Sequence, residues 1–230
     1  MAFKPHPNGG GRVEDTADVA ETAYVGKYAV INSKARVLGN ARIYDDAQIS
    51  GDALVCGDAK VYGKAVVSGN ARVSGNAEVY GDAHVYGNAK VYGYALVYGA
   101  ASVSDNAAVC RDARIYDAAF VSGNAQVWGV AQVYGQAHVY GNVKVYGYAK
   151  IDSMAIVDGN AKVYGNARVS GNAEIYGDAH VYGDARVDGN AKVYGKAHVY
   201  ENAQVWGNVR VYGDAHVYGD ANVYNRDYKT

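Results

Sequence analysis

The side chains able to bind a metal, move a proton or hold a ligand are unevenly supplied in this chain and regularly spaced. His180, His198 and His216 recur every eighteen residues. Imidazole suits zinc and copper, and residues that stack at this interval would stand one strand spacing, ~4.8 Å, apart. Two adjacent rings can ligate a transition metal, but a straight column cannot wrap a tetrahedral ion without further groups, so a solvated histidine ladder is the other reading. Cys56 and Cys110 show neither metal-site spacing nor a disulfide framework. Tyrosine is far more abundant, at 23 of 230 residues. The same interval lines up Tyr44, Tyr62, Tyr80, Tyr98, Tyr116 and Tyr134. That column is either a structural stack, with Arg42, Lys60 and Arg114 lying against it, or a platform for sugars, bases or another protein. Tyr94, Val130 and Tyr148 stand where Asn or Asp is usual, close to Tyr92, Trp128, Tyr146 and Leu96. They form an apolar corner patch, read either as a protein-partner site or as an ordinary surface cluster.

What must position these groups is a repeat of six. Val-Tyr-Gly-Asp-Ala-His (79–84), Val-Tyr-Gly-Asn-Ala-Lys (85–90) and Val-Tyr-Gly-Tyr-Ala-Leu (91–96) follow without a break. Stepping by six from Val13 to Val223 meets 36 positions, all Val or Ile. The fifth place is Ala in 33 of them, the third Gly in 25 and the fourth Asn or Asp in 22. In a strand alternate side chains share a face, so Ala-x-Val-Tyr sends Ala and Val inward and x and Tyr outward. Gly followed by Asn or Asp tolerates the left-handed backbone that a corner requires. Three strand-and-corner units close a triangle, so eighteen residues make one coil and the 36 hexads about twelve coils, a rod roughly 58 Å long. The expected organisation is a flexible leader over residues 1–12, a repeat domain over 13–228 and a tail at 229–230. Acids in the first hexads (13–24) and Asp227, at the inward small place of the last (223–228), read as polar end coils, with simple fraying the other reading of the last hexad.

The in-phase series of Val or Ile, Gly, Asn or Asp, and Ala resembles the hexapeptide-repeat left-handed β-helix superfamily over residues 13–228. That resemblance implies an all-β fold, a single-stranded left-handed parallel β-helix, triangular in section. It also implies a homo-oligomer, most simply a trimer. Family acyltransferases usually have a loop interrupting the coils, a histidine near a subunit junction and often a terminal helix; here no insertion breaks the count and no helical segment follows Val223. The pattern is most similar to uninterrupted Val-Tyr-Gly-Asn-Ala repeat proteins labelled transferases by fold alone, and fold alone is weak evidence for an activity. If the family's chemistry is present, the resemblance implies an acyltransferase site at a subunit junction with His84 or His138 as general base. The three converging histidines of γ-class carbonic anhydrases are not visible in these spacings.

Stacking at eighteen sorts the outward residues into three faces. Face one carries Arg36, Lys144, Lys162 and the three spaced histidines. Face two carries the tyrosine column from Tyr44. Face three carries Val30, Gln48, Val66, His84, Ser102, Phe120 and His138, with no formal charge from Val30 to Asp158. Such an uncharged strip is either an oligomer contact covering Val30, Val66 and Phe120 or a neutral solvated surface. Asn70, Asn88, Asn106, Asn124, Asn142 and Asn160 share a corner and read as a structural amide column.

Composition narrows the function classes. Lys plus Arg (22) balances Asp plus Glu (23), and bases on the flats face acids at the corners, which disfavours a phosphate track and so nucleic acid. No apolar run approaches the roughly 18 residues of a membrane span, and the opening lacks a signal peptide's apolar segment. A soluble protein, cytoplasmic or virion-associated, is expected, with no cofactor. The sequence favours a non-catalytic interaction or spacer solenoid, with a protein or glycan partner, over an acyltransferase.

Overall fold

The computed structural model describes residues 2–224 and 226–229. Met1, the Asn225 of the last hexad and the Thr230 of the expected tail lie outside the described residues. The chain divides into two compact units, residues 1–112 and 113–230. Each is built in the same way, entirely from short strands joined by corners.

A hexad makes its strand from the residue before Val and the Val itself, as in Lys60–Val61 and Lys162–Val163. The branched residue points in and its predecessor out, as the alternation predicts. From Val25 to Val211 the inward Val or Ile is wholly buried, and Ala lines the remaining interior. Each strand pairs in parallel with the strand eighteen residues on. In the first unit Arg42 pairs with Lys60 and Lys60 with Glu78; in the second Lys144 pairs with Lys162 and Lys162 with His180. Backbone bonds follow suit. Lys60 N–H donates to Ala77 O (2.9 Å), Tyr62 N–H to Val79 O (3.0 Å) and Lys64 N–H to Gly81 O (2.7 Å). Bonds of this kind pair polar groups of strand and corner alike. The three faces of each unit are therefore parallel sheets.

The corner refines the sequence reading. Positive φ falls on the third place of the hexad, whether Gly or a replacement such as Asp45, Asp117 or Glu201, and the Asn or Asp that follows is not left-handed. At Gly51 (φ 71°) an added Cβ would lie 2.8 Å from the Gly69 nitrogen, so the coils approach too closely for most side chains. Where an acid replaces Gly it bonds the adjoining coil: Gly63 N–H donates to Asp45 Oδ2 (3.1 Å), Gly135 N–H to Asp117 Oδ2 (3.2 Å) and Gly219 N–H to Glu201 Oε2 (2.7 Å).

The beginning of the chain departs from the expected flexible leader. Strand β1 (Phe3–Pro5) runs antiparallel to β2 (Arg12–Glu14), with Phe3 opposite Glu14 and Pro5 opposite Arg12. His6 N–H donates to Gly11 O (2.8 Å), Gly10 N–H to His6 O (3.0 Å), and the Arg12 guanidinium stands 4.6 Å from the Phe3 ring centre. The first coil otherwise presents unpaired strand groups to water, and β1 covers that edge on face three. At the other end Asp227 is exposed rather than inward, and its Oδ1 accepts from Arg210 N–H (2.9 Å).

Candidate functional site

With the interior filled by Val, Ile and Ala, every candidate group lies on an outer face. On face two of the first unit Tyr44, Tyr62, Tyr80 and Tyr98 stack with ring centres 5.0, 4.8 and 4.9 Å apart and nearly parallel planes. In the second unit Tyr116 and Tyr134 stack at 4.8 Å. The spacing is that of the strands, so the backbone imposes the stack and the rings cover one another's faces. Tyr62 donates to Glu78 Oε2 (3.0 Å), while Lys60 Nζ donates to Glu78 Oε1 (2.8 Å). Burial, then the bond to Glu78, pushes the Tyr62 phenol well above its ordinary value.

Face one of the second unit holds a longer column. Trp128, Tyr146, Tyr164, Tyr182, Tyr200 and Tyr218 stack at 4.6 to 5.4 Å. The histidines stand beside it, His180 to His198 at 4.7 Å and His198 to His216 at 4.8 Å, each nearly perpendicular to a tyrosine of the column. The rings run in a line and do not converge. Among the described residues no group of three or more His, Cys, Asp or Glu is placed to hold a metal ion. Burial, followed by the positive charge of Lys162, lowers the pKa of His180; burial and His216 lower that of His198.

His84 and His138, the two general-base candidates, lie in different units and are both exposed on face three. His84 sits in register between Val66 and Ser102. His138 lies over the Phe120 ring, centres 4.9 Å apart. Among the described residues neither makes a side-chain hydrogen bond or an ion pair. Of the apolar strip, Val30 and Val66 are half-buried and Phe120 is exposed.

The corner residues divide between the units. Tyr92 and Tyr94 are exposed in the first, and in the second Tyr148 is 63% and Val130 37% exposed while Trp128 and Tyr146 are held in their stack. A hydrogen bond with Cys110, then burial, raises the Tyr92 pKa. Cys56 and Cys110 are both free thiols. The asparagine column forms as amide-to-amide bonds, Asn70 to Asn88 (3.1 Å) and Asn88 to Asn106 (3.2 Å) in the first unit, Asn124 to Asn142 and Asn142 to Asn160 (both 3.0 Å) in the second.

Sequence reasoning also missed where a column stops. On face two of the second unit the place occupied by Tyr116 and Tyr134 passes to Asp152, Ser170 and Asp188 before Trp206 and Tyr224 resume the stack at 4.8 Å. Beside this gap Lys150, Arg168 and Arg186 are neighbours in register. An open groove of about 660 Å³ lies there, lined by these three cations with Tyr148, Asn166, Ser170 and Asp188. A hollow of about 320 Å³ shares Arg186 and Asp188 and runs on to Gln204 and Trp206. Asp152, only 3% exposed, pairs with Arg168 Nη2 at 2.8 Å and accepts from the Tyr134 hydroxyl at 2.8 Å. Burial and that bond push the Tyr134 pKa up to about 12.

Stacked parallel coils, ring ladders and amide columns define a β-solenoid repeat protein. Comparison with known proteins agrees: residues 47–63, 71–87, 161–177 and 203–219 match the family model described as YdcK Beta solenoid repeat. Among solved structures, the UDP-N-acetylglucosamine O-acyltransferase (LpxA) of Moraxella catarrhalis RH4 is similar over 90% of this chain and 74% of its own, at 13% identity and a TM-score of 0.41. No curated protein matches the chain. Among the described residues no helix is long and apolar enough to cross a membrane.

Proposed function

We propose that this chain is a non-catalytic interaction module, a rigid solenoid that presents side-chain columns to a partner. The observation that carries this reading is the interior. It is occupied by Val, Ile and Ala with no exposed surface from Val25 to Val205, whereas catalysis calls for an enclosed constellation of acid, base, nucleophile or metal. His84 and His138 support it further, since neither is oriented by a carboxylate or set against a nucleophile among the described residues. The test is acyl transfer from acyl-thioesters, followed by release of free thiol. The wild-type chain is expected to release thiol at the rate of the uncatalysed reaction. Turnover that disappears in His84→Asn or His138→Asn would overturn the reading in favour of an acyltransferase.

The module self-associates, most simply as a trimer, through the uncharged strip of face three, with Val30 and Val66 in one unit and Phe120 in the other. The support is apolar exposure without charge: Phe120 is 42% exposed beside His138 in the second unit, and in the first Val66 is in register with Gln48 and His84. Two unpaired cysteines fit a cytoplasmic or virion-associated setting.

A further inference from the structure

The gap in the aromatic column of face two is a built groove with a defined chemistry. Its ends are rings. Among the described residues Tyr134 stacks on Tyr116 on one side and meets Asp152 in the column on the other, and Trp206 stacks on Tyr224 with Asp188 next in the column. Four coil steps separate them, roughly 19 Å at ~4.8 Å per strand. Trp206 is 44% exposed, so an uncovered indole bounds the groove at that end. Ser170, 9% exposed, forms a low floor where a tyrosine would otherwise stand.

Between the rings the groove offers cations in a row. Arg168 is held by the buried Asp152 with its side chain still half exposed, and a guanidinium carries five donors, only part of which that contact uses. Lys150 and Arg186 are exposed and make no ion pair among the described residues. Successive charges one strand spacing apart suit a ligand that carries an anion at each step of an extended chain. Acceptors stand among these donors. Asp188 uses Oδ1 to take the Gly189 N–H (2.6 Å), which leaves Oδ2 on the groove lining, and the Ser170 hydroxyl lies beside it.

Donors and acceptors together ask for a ligand with both carboxylates or sulfates and free hydroxyls, and a bare indole face suits the C–H side of a sugar ring. A nucleic acid fits less well. A deoxyribose-phosphate chain offers Asp188 no hydroxyl along its length, and the bases of any single strand need a succession of open ring faces, whereas the rings here cover one another.

We propose that this groove, from Tyr134 to Trp206, binds a segment of an acidic polysaccharide, with Lys150, Arg168 and Arg186 on its anionic groups, Asp188 and Ser170 on its hydroxyls and Trp206 against a sugar ring. The proposal deepens the reading of the chain as an interaction module and rests on it. The test is titration calorimetry of the full chain with a hexameric oligogalacturonate, a heparin-derived hexasaccharide, maltohexaose and a twelve-residue oligothymidylate. At least one acidic saccharide is expected to bind, with affinity falling as salt rises, and maltohexaose is not. Lys150→Gln with Arg186→Gln, which breaks no ion pair of the fold, should weaken binding about tenfold or more. Ser170→Tyr with Asp188→Tyr, which extends the ring column from Trp206 back to position 170 and fills the groove, should abolish binding while the urea midpoint stays at or above that of the wild type. Failure of both acidic saccharides to bind, binding unmoved by both double variants, or preferred binding of the oligothymidylate would each overturn the groove proposal and leave the non-catalytic reading standing. Acyl transfer dependent on His84 or His138 would overturn the latter alone.

Discussion

At the scale of single residues, this protein places titratable groups where the backbone repeat puts them and lets burial set their charge. His180 and His198 are edge-on to tyrosines of the neighbouring column and lie near Lys162. Both pKa values are lowered, first by burial, with Lys162 acting on both, His198 and His216 each acting on a neighbour, and Asp178 opposing at His180. A fold that lowers a histidine pKa favours the neutral ring, and the unfolded chain binds the proton more readily. The stabilisation is therefore complete above the ordinary value of about 6.5 and is lost as the pH falls from there through the folded-state values. Urea midpoints measured from pH 7.5 to pH 5 should fall, and they should fall less steeply in His180→Gln with His198→Gln. An identical pH dependence in the variant would show that these rings do not contribute.

At the scale of elements, the column is the unit of organisation, and its stability comes from rungs held at the strand spacing. Tyr164 lies between Tyr146 and Tyr182 at 4.8 Å on both sides. Removing it breaks two stacks, so Tyr164→Ala should cost about 1 to 3 kcal/mol in urea unfolding beyond the loss of buried area. Tyr164→Phe should cost little, because the rings and not the phenol make the contact. Equal losses in the two variants would mean that the hydroxyl carries the effect. Columns of this kind were legible in the sequence because one period of eighteen follows from one period of six, and the run from Tyr44 and the asparagine corner could be written down residue by residue. What was not legible is instructive. The groove between Tyr134 and Trp206 is defined by the tyrosines that are missing at Asp152, Ser170 and Asp188, and a search for recurring residues passes over their absence. The same period, followed through those three positions, held the signal. The corner was read in part for a related reason. Gly and the residue after it both tolerate left-handed angles, and only the coordinates assign the positive φ to the third place.

At the scale of the whole molecule, inward and outward positions were fixed by the unbroken phase of Val and Ile, while contacts made outside the repeat, such as the return of residues 3–5 onto β2, had no periodic signal to announce them. Assembly belongs to this scale as well. A charge on an apolar strip that is solvated in the single chain changes little, but in a closed symmetric contact the same charge recurs in every subunit and must lose its water. Val66→Glu with Phe120→Glu should therefore reduce the mass found by light scattering from that of the oligomer to that of one chain, with the β-sheet circular dichroism unchanged. An unaltered mass would remove face three from consideration as the contact.

One consequence of β1 concerns the sheet edge that it covers. Within each unit successive strands of a face run in one direction and present edges of one polarity. On face three, β1 lies across β2 in the opposite sense, so the edge of β2 that faces residues 3–5 is already paired. There the parallel register gives way to an antiparallel rung, made from three residues of ordinary chain.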